Sequence, residues 1–312
     1  MSRHIDSFPA PVAPKPKKLI VLSAPRTGTH GLYQALKVLG FKPYHMVEVF
    51  ANGADHCRFM TEGLQASAEG TFAPYFADPG DGGDIDGRAE FDKWFADYDM
   101  WMVPWGYDCS LANILLPPRV QIIVEMPFFM VTEIVEAYPD AKFLLTERDP
   151  DKWAKSWLNT IGPLTLKFSQ FPTNILKHFS PLSRNMGVFA GVNRRLYFKS
   201  DKNDEVAHRN LVAHYKEYIA KVKEIVPPAQ LKVCRLEDGF GWDEICPYLG
   251  VPVPADTEWP SRNQPEEFFT ISDKALSTDH SKLTIAASVL APLVAVGIWY
   301  ARTEGRWLPK IF

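Results

Sequence analysis

The apolar positions of residues 18–39 change period part-way along. Leu19 to Leu22 is an unbroken apolar run with a β-branched pair, the length of one buried strand. Ser23 to His30 predicts a turn, with Pro25 and Gly28 supplying its special backbone angles. From Thr29 onward Leu32, Ala35, Leu36 and Leu39 recur at helical spacing, and Gly40 stops the helix. The alternation returns downstream. Val120–Val124 reads as a strand ending in Glu125 and a proline turn, and Ala141–Arg148 as a buried strand with its charges at the end. Asp149 and Pro150 then suit the N-cap and first turn of another helix. Thr132–Tyr138 predicts a short helix, and Asp204–Val226 a long one carrying Val206, Leu211, Val212, Tyr215, Ile219 and Val222. Leu231–Leu236 predicts the last strand and Trp242–Leu249 a short helix. Strands each followed by a helix predict an α/β fold with a central, mainly parallel sheet.

The intervals are less regular. Phe41–Phe50 predicts a second strand and its turn, in which His45 could line a site. Residues 51–100 are rich in Gly, Asp and Ala, with an exposed acidic loop at Asp78–Gly87 and helical spacing around Ala89–Tyr98. Gly162–Lys199 has no clean period, as expected of a segment that caps a pocket and varies with substrate. The last part differs again. Leu283–Ala301 is a stretch of 19 residues without a charge, between Lys282 and Arg302. As a helix it would be about 28 Å long, close to the hydrocarbon thickness of a bilayer. Trp299 and Tyr300 stand where an interfacial aromatic belt is expected.

These patterns divide the chain into a flexible N-terminal tail (1–17), one α/β domain (18–270), a linker (271–282) and a transmembrane helix (283–301). Residues 1–18 lack the apolar core of a secretory signal, so the expectation is a C-terminal, single-pass anchor holding a cytosolic domain.

Composition narrows the function. A net charge of −3 and a pI near 6.3, with no dominant basic stripe, argue against nucleic acid as a partner. Cysteines 57, 109, 234 and 246 have neither C-x-x-C spacing nor companion histidines, and read as reduced thiols, not a disulfide framework or metal site.

The chemistry starts at the first loop. A strand passing through small residues into a helix N-terminus presents backbone N–H groups and a positive dipole end, which suits a phosphate or sulfate. A Walker A loop would need a lysine before the helical hydroxyl. Here no lysine precedes Thr29, and the loop cation is Arg26. Glu125 follows a predicted strand, where ligands of open α/β sheets gather. It could hold Mg²⁺ in a nucleotide-hydrolysing enzyme, or it could accept a proton. Arg148 at a strand end and Ser156, one to two turns into the next helix, can converge on one anion.

Taken together, Ser23-x-Pro-Arg-x-Gly-Thr29, Tyr138-Pro-Asp-Ala-Lys142 and Arg148-Asp-Pro-x-Lys-Trp153 resemble the sulfotransferase superfamily, over about residues 18–270. The resemblance implies a P-loop-like, three-layer α/β fold. It also implies 3′-phosphoadenosine 5′-phosphosulfate as donor and sulfonation of a hydroxyl or amine on a small molecule. On this pattern Arg26, Thr27, Gly28, Thr29 and His30 cradle the donor sulfonate, while Arg148 and Ser156 hold its 3′-phosphate. Arg262, in Ser261-Arg-Asn263, matches the arginine of a C-terminal loop at that phosphate. Glu125-Met-Pro127 stands where relatives carry His-Leu-Pro or Asp-x-Pro, a departure that keeps a carboxylate base. No metal is implied. The abundant aromatics favour a hydrophobic or phenolic acceptor over a sugar polymer. The alternatives are a P-loop kinase or hydrolase using Glu125 for Mg²⁺, and a non-catalytic, membrane-tethered binding protein.

Overall fold

The computed structural model describes residues 3–9, 17–71, 88–95, 121–124 and 126–260, with 270, 273–274, 276–277, 281 and 295–299 beyond them. The centre is one parallel sheet of β1 (Lys17–Val21), β2 (Lys42–Tyr44), β3 (Gln121–Val124), β4 (Lys142–Glu147) and β5 (Leu231–Arg235), in the order β2-β3-β1-β4-β5. β1 is buried on both faces, which is why its sequence is apolar without alternation. Leu19 and Val21 pack with Leu32 and Leu36 of α1 (Thr29–Val38) and with Ile245 and Leu249 of α10 (Trp242–Leu249). Ile20 and Leu22 face a larger core. It includes Met60 of α3 (Ala54–Ala68), Ile134 of α5 (Val131–Ala137), Trp153 of α6 (Pro150–Lys167) and Tyr215 of α9 (Glu205–Ile225). Helices on both faces of a parallel sheet give three layers. β2 is an edge strand, so Pro43 withholds no hydrogen that an inner strand would need.

Several elements differ from the sequence reading. Residues 3–9, expected as free tail, dock on α3. Ile5 is fully buried, the Phe8 and Phe59 rings meet at 4.8 Å, and the His4 N–H donates to Glu62 Oε2 at 3.1 Å. Helix α3 itself has no clear pattern in the sequence because Thr61 and Gly63 interrupt its apolar face. Gly63 is there for close packing, since a Cβ would lie 2.7 Å from Met130 Sδ. Helix α6 runs through Gly162-Pro163 to Lys167, because Trp153, Trp157, Thr160 and Leu164 keep one face buried. Pro163 is exposed, so water can take the carbonyl it leaves without a helical donor. The segment read as aperiodic contains α7 (Thr173–Leu176) and α8 (Pro181–Asn193), followed by a π turn at Arg194–Phe198. The described fold also has two short 3-10 turns, His4–Ser7 and Met126–Phe129, and the helices α2 (Met46–Asn52) and α4 (Arg88–Phe95). The latter is fastened by a buried pair, Lys17 Nζ to Asp92 Oδ1 at 3.6 Å, with the Tyr138 hydroxyl donating to Asp92 at 2.9 Å.

Of the charge-free stretch 283–301, residues 295–299 are described and are helical and exposed. Among the described residues no helix is long and apolar enough to cross a membrane. Most of that stretch, and the predicted acidic loop at 78–87, lie outside the described residues.

Two partly buried imidazoles make the fold sensitive to acid. Burial pushes His56 and His214 down from 6.5 to about 4, and the nearby Lys199 adds to the effect at His214. Between these values the unfolded chain binds protons that the folded chain excludes, so stability falls as pH drops from about 6.5 towards 4. The expected loss is about 3 kcal/mol per imidazole, as an order of magnitude. Urea titrations across this range check it: His214→Phe should flatten the slope, and an unchanged slope would acquit that residue.

Candidate active site

The loop after β1 lies where the chain leaves the sheet between β3 and β4, the crevice in which open α/β folds bind ligands. Its shape is set from within. Ser23 Oγ accepts the Thr146 N–H at 2.8 Å, and Thr27 Oγ1 donates to the Ala24 carbonyl at 2.7 Å while pairing with Thr146 Oγ1 at 2.7 Å. Trp153 Nε1–H donates to the Pro25 carbonyl at 2.8 Å, and an Arg148 guanidinium N–H to the Arg26 carbonyl at 2.9 Å. With both carbonyls held on that side, the trans peptides turn the N–H groups of Arg26 and Thr27 the opposite way. Arg26 sits at φ 72, a left-handed conformation costly for a residue with a side chain and held here by these bonds. Gly28 follows at φ 91, and a Cβ there would lie 3.0 Å from Leu236 Cδ1 and 3.3 Å from Phe240 Cζ. Only glycine fits this turn.

The loop borders a cavity of about 310 Å³. Pro25, Arg26, Gly28, Thr29 and His30 line one end, together with Arg148 and Ser156. Arg26 Nε–H donates to Ser156 Oγ at 3.3 Å, so loop, strand end and helix meet in one patch with two guanidinium groups. That patch and the N-terminus of α1 form a positive end suited to an anion. The other end is apolar, walled by Phe129, Trp157, Leu164, Phe168, Met186 and Phe189.

The structure thus brings together Arg26, Gly28, Thr29, His30, Arg148 and Ser156. Thr27 is fully buried behind the loop with its hydroxyl engaged, which leaves its backbone to face a ligand. Glu125 and Arg262 lie outside the described residues; Glu125 follows Val124, which pairs with Val21 of β1.

Two participants, Tyr215 and Glu237, escape a reading by motif, and a third, His45, lines the cavity as expected of it. The Tyr215 hydroxyl accepts the Arg148 N–H at 2.9 Å and its ring stacks on Trp153 at 4.4 Å, so α9 fixes the arginine backbone. Burial pushes the Tyr215 phenol up, keeping it neutral. Glu237 Oε1 accepts the Asp149 N–H at 3.0 Å and steadies the start of α6. His45 lines the cavity, but its Nδ1 accepts the Val47 N–H at 3.2 Å as the cap of α2. That N–H occupies the Nδ1 lone pair while the cap persists. Tyr215 could have been singled out only as one apolar position among many on a long helix.

The sequence matches the sulfotransferase domain model over residues 18–110 and 111–268. The chain belongs to the sulfotransferase family. It is therefore an enzyme of the transferase class. A curated relative, Ava biosynthesis cluster protein M of Aspergillus versicolor, is 29% identical over 249 residues, covering 78% of this chain and 79% of its own. A solved sulfotransferase from Alicyclobacillus acidocaldarius overlaps 88% of this chain and 96% of its own, at 13% identity and a TM-score of 0.37. That overlap is too loose to add to the family match.

Proposed function

We propose that this sulfotransferase uses 3′-phosphoadenosine 5′-phosphosulfate and sulfonates a hydroxyl, or an amine, of a small hydrophobic molecule. The observation that carries the donor reading is the single patch made by Arg26, Arg148 and Ser156 beside the α1 N-terminus. Its residues fit a ligand with two separate anionic groups. The strained loop and its glycine give backbone N–H groups and Arg26 for the sulfonate end, and Arg148 with Ser156 serve the 3′-phosphate. Arg262 is the proposed additional cation there. When bound, the donor supplies the sulfonate group that the acceptor receives. The chain holds the reacting groups in line, stabilises charge with Arg26 and α1, and takes the acceptor proton on Glu125. The apolar end of the cavity supports a hydrophobic acceptor, and the relative's name, a biosynthesis cluster protein, is in keeping with a small-molecule one.

Calorimetric titration with adenosine 3′,5′-bisphosphate tests the donor. Strong binding is expected, and weaker binding of ATP with Mg²⁺; the reverse order would transfer the site to nucleotide hydrolysis. Ser156→Ala should weaken the bisphosphate about tenfold, since one hydroxyl donating to a charged phosphate contributes about 1.5 kcal/mol, the low end of the range for such bonds. No change would remove Ser156 from the phosphate site.

The charge-free stretch 283–301 is proposed as a membrane attachment. Arg302, Arg306 and Lys310 against Glu304 leave +2 beyond it, which the positive-inside tendency holds in the cytosol. A helix lying in the interface would satisfy both features. The full chain should resist alkaline carbonate if the helix is inserted, and a glycosylation acceptor placed after Phe312 reports crossing into the endoplasmic reticulum. Full release by carbonate rules out insertion.

A further inference from the structure

The wall of the cavity carries a surface that faces the wrong way for water. From Gln170 to Ser180 the chain winds through turns on either side of the short helix α7, with Asn174 N–H to Gln170 O at 2.8 Å, Leu176 N–H to Pro172 O at 3.0 Å and Ser180 N–H to Leu176 O at 3.1 Å. Along it Phe171, Ile175 and Phe179 recur every fourth residue, on one face, and are 80%, 50% and 69% exposed. The residues turned inward are Thr173 and Ser180, each 1% exposed. A turn that buries its hydroxyls and exposes its large apolar side chains inverts ordinary amphipathicity, and such a stripe marks a contact surface.

Charge and chain path say what covers it. Residues 152–200 contain eight lysines and arginines and no aspartate or glutamate, in a chain whose net charge is −3. Lys177 lies within the turn, and Arg184 is exposed on the helix that follows. Lys167, at the end of α6, pairs with Asp273 at 2.6 Å, and Leu276 is buried in the main core. Asp273 therefore lies at the end of α6, three residues before this turn begins, and in the sequence the charge-free run opens ten residues later at Leu283. Exposed aromatics among basic residues, next to the root of an apolar tail, match the surface of a bilayer containing anionic lipid.

We propose that the 170–180 turn is a membrane-contact surface of the catalytic domain, seated on anionic lipid by Phe171, Ile175 and Phe179. Phe168, at the root of the turn, lines the apolar end of the cavity. Seating the turn in the interface places that wall where a lipid-dissolved acceptor would enter. This last step rests on the acceptor reading above; the contact surface does not.

An environment-sensitive dye on the full chain tests the surface without donor or acceptor. Phe171→Cys is labelled in a Cys109→Ser background, because the described cysteines 57, 234 and 246 are buried. Val38→Cys, exposed on α1, is the control position. Vesicles of phosphatidylcholine with phosphatidylserine should shift the emission of the label at 171 to the blue and leave that at 38 unchanged. Added salt, or omission of phosphatidylserine, should shrink the shift. Adding Ile175→Ser and Phe179→Ser should raise the lipid concentration for half the shift about tenfold, with far-ultraviolet dichroism confirming that the chain is folded. A chain that floats with vesicles while the label at 171 stays in water would overturn the proposal. So would a shift that grows with protein concentration in the absence of lipid, which would give the stripe to a second copy. Failure of bisphosphate binding would leave these readouts untouched and count only against the donor reading.

Discussion

Glu125→Gln is expected to lower turnover by about 10²–10⁴ while leaving affinity for adenosine 3′,5′-bisphosphate nearly unchanged. The residue follows β3, whose Val124 pairs with Val21 at the end of β1, just before the anion loop. Glutamine keeps the shape and size of the side chain but cannot accept the acceptor's proton. A loss confined to turnover therefore separates the base from the donor site. His45 lines the same cavity and is the next residue to test, although its Nδ1 would have to give up the Val47 N–H it accepts as the α2 cap. Single-turnover sulfonation alongside calorimetry gives both numbers. Full activity in Glu125→Gln would remove the carboxylate from the proton path.

Arg148→Ala should weaken bisphosphate binding about a hundredfold, considerably more than Ser156→Ala. A charge-assisted hydrogen bond to the 3′-phosphate is worth about 1.5–3 kcal/mol. The same guanidinium also holds the Arg26 carbonyl at 2.9 Å, and so helps keep Arg26 in its left-handed conformation. Removing it releases the loop proposed to hold the sulfonate end of the donor. Arg148→Lys restores the charge as a point ammonium in place of a planar fork, so it should recover only part of the affinity. Titration of both variants checks this, and equal affinity in wild type and Arg148→Ala would take the residue out of the donor site.

Much of this was legible in the sequence, for physical reasons that differ by element. β1 and β4 were readable because strands buried on both faces must be apolar throughout. α9 was readable because a long helix against a core repeats its apolar positions. The start of α6 was readable because Asp149 caps it, its carboxylate accepting the Lys152 N–H at 2.9 Å. The anion loop and the Arg148–Ser156 pair were visible as local spacing, since a helix N-terminus and one turn of helix fix their geometry without help from the rest of the chain.

Other features depended on contacts far apart in the chain. Helix α3 could not be read because its glycine answers to Met130, nor the continuation of α6 because Gly162 makes room for Asn203, whose Nδ2 would lie 2.6 Å from a Cβ. Nor does any local pattern show that Ile5 is buried, that Tyr215 on α9 accepts the Arg148 N–H, or that Phe171, Ile175 and Phe179 point outward while Thr173 points in. Periodicity and the chemistry of one helix end sufficed for the strands, the anion loop and the basic residues at its rim, because those are local properties of the chain. The tertiary structure decided which side chains share the cavity and which faces are buried, because both depend on residues more than a hundred positions apart, such as Arg26 and Ser156, being packed together.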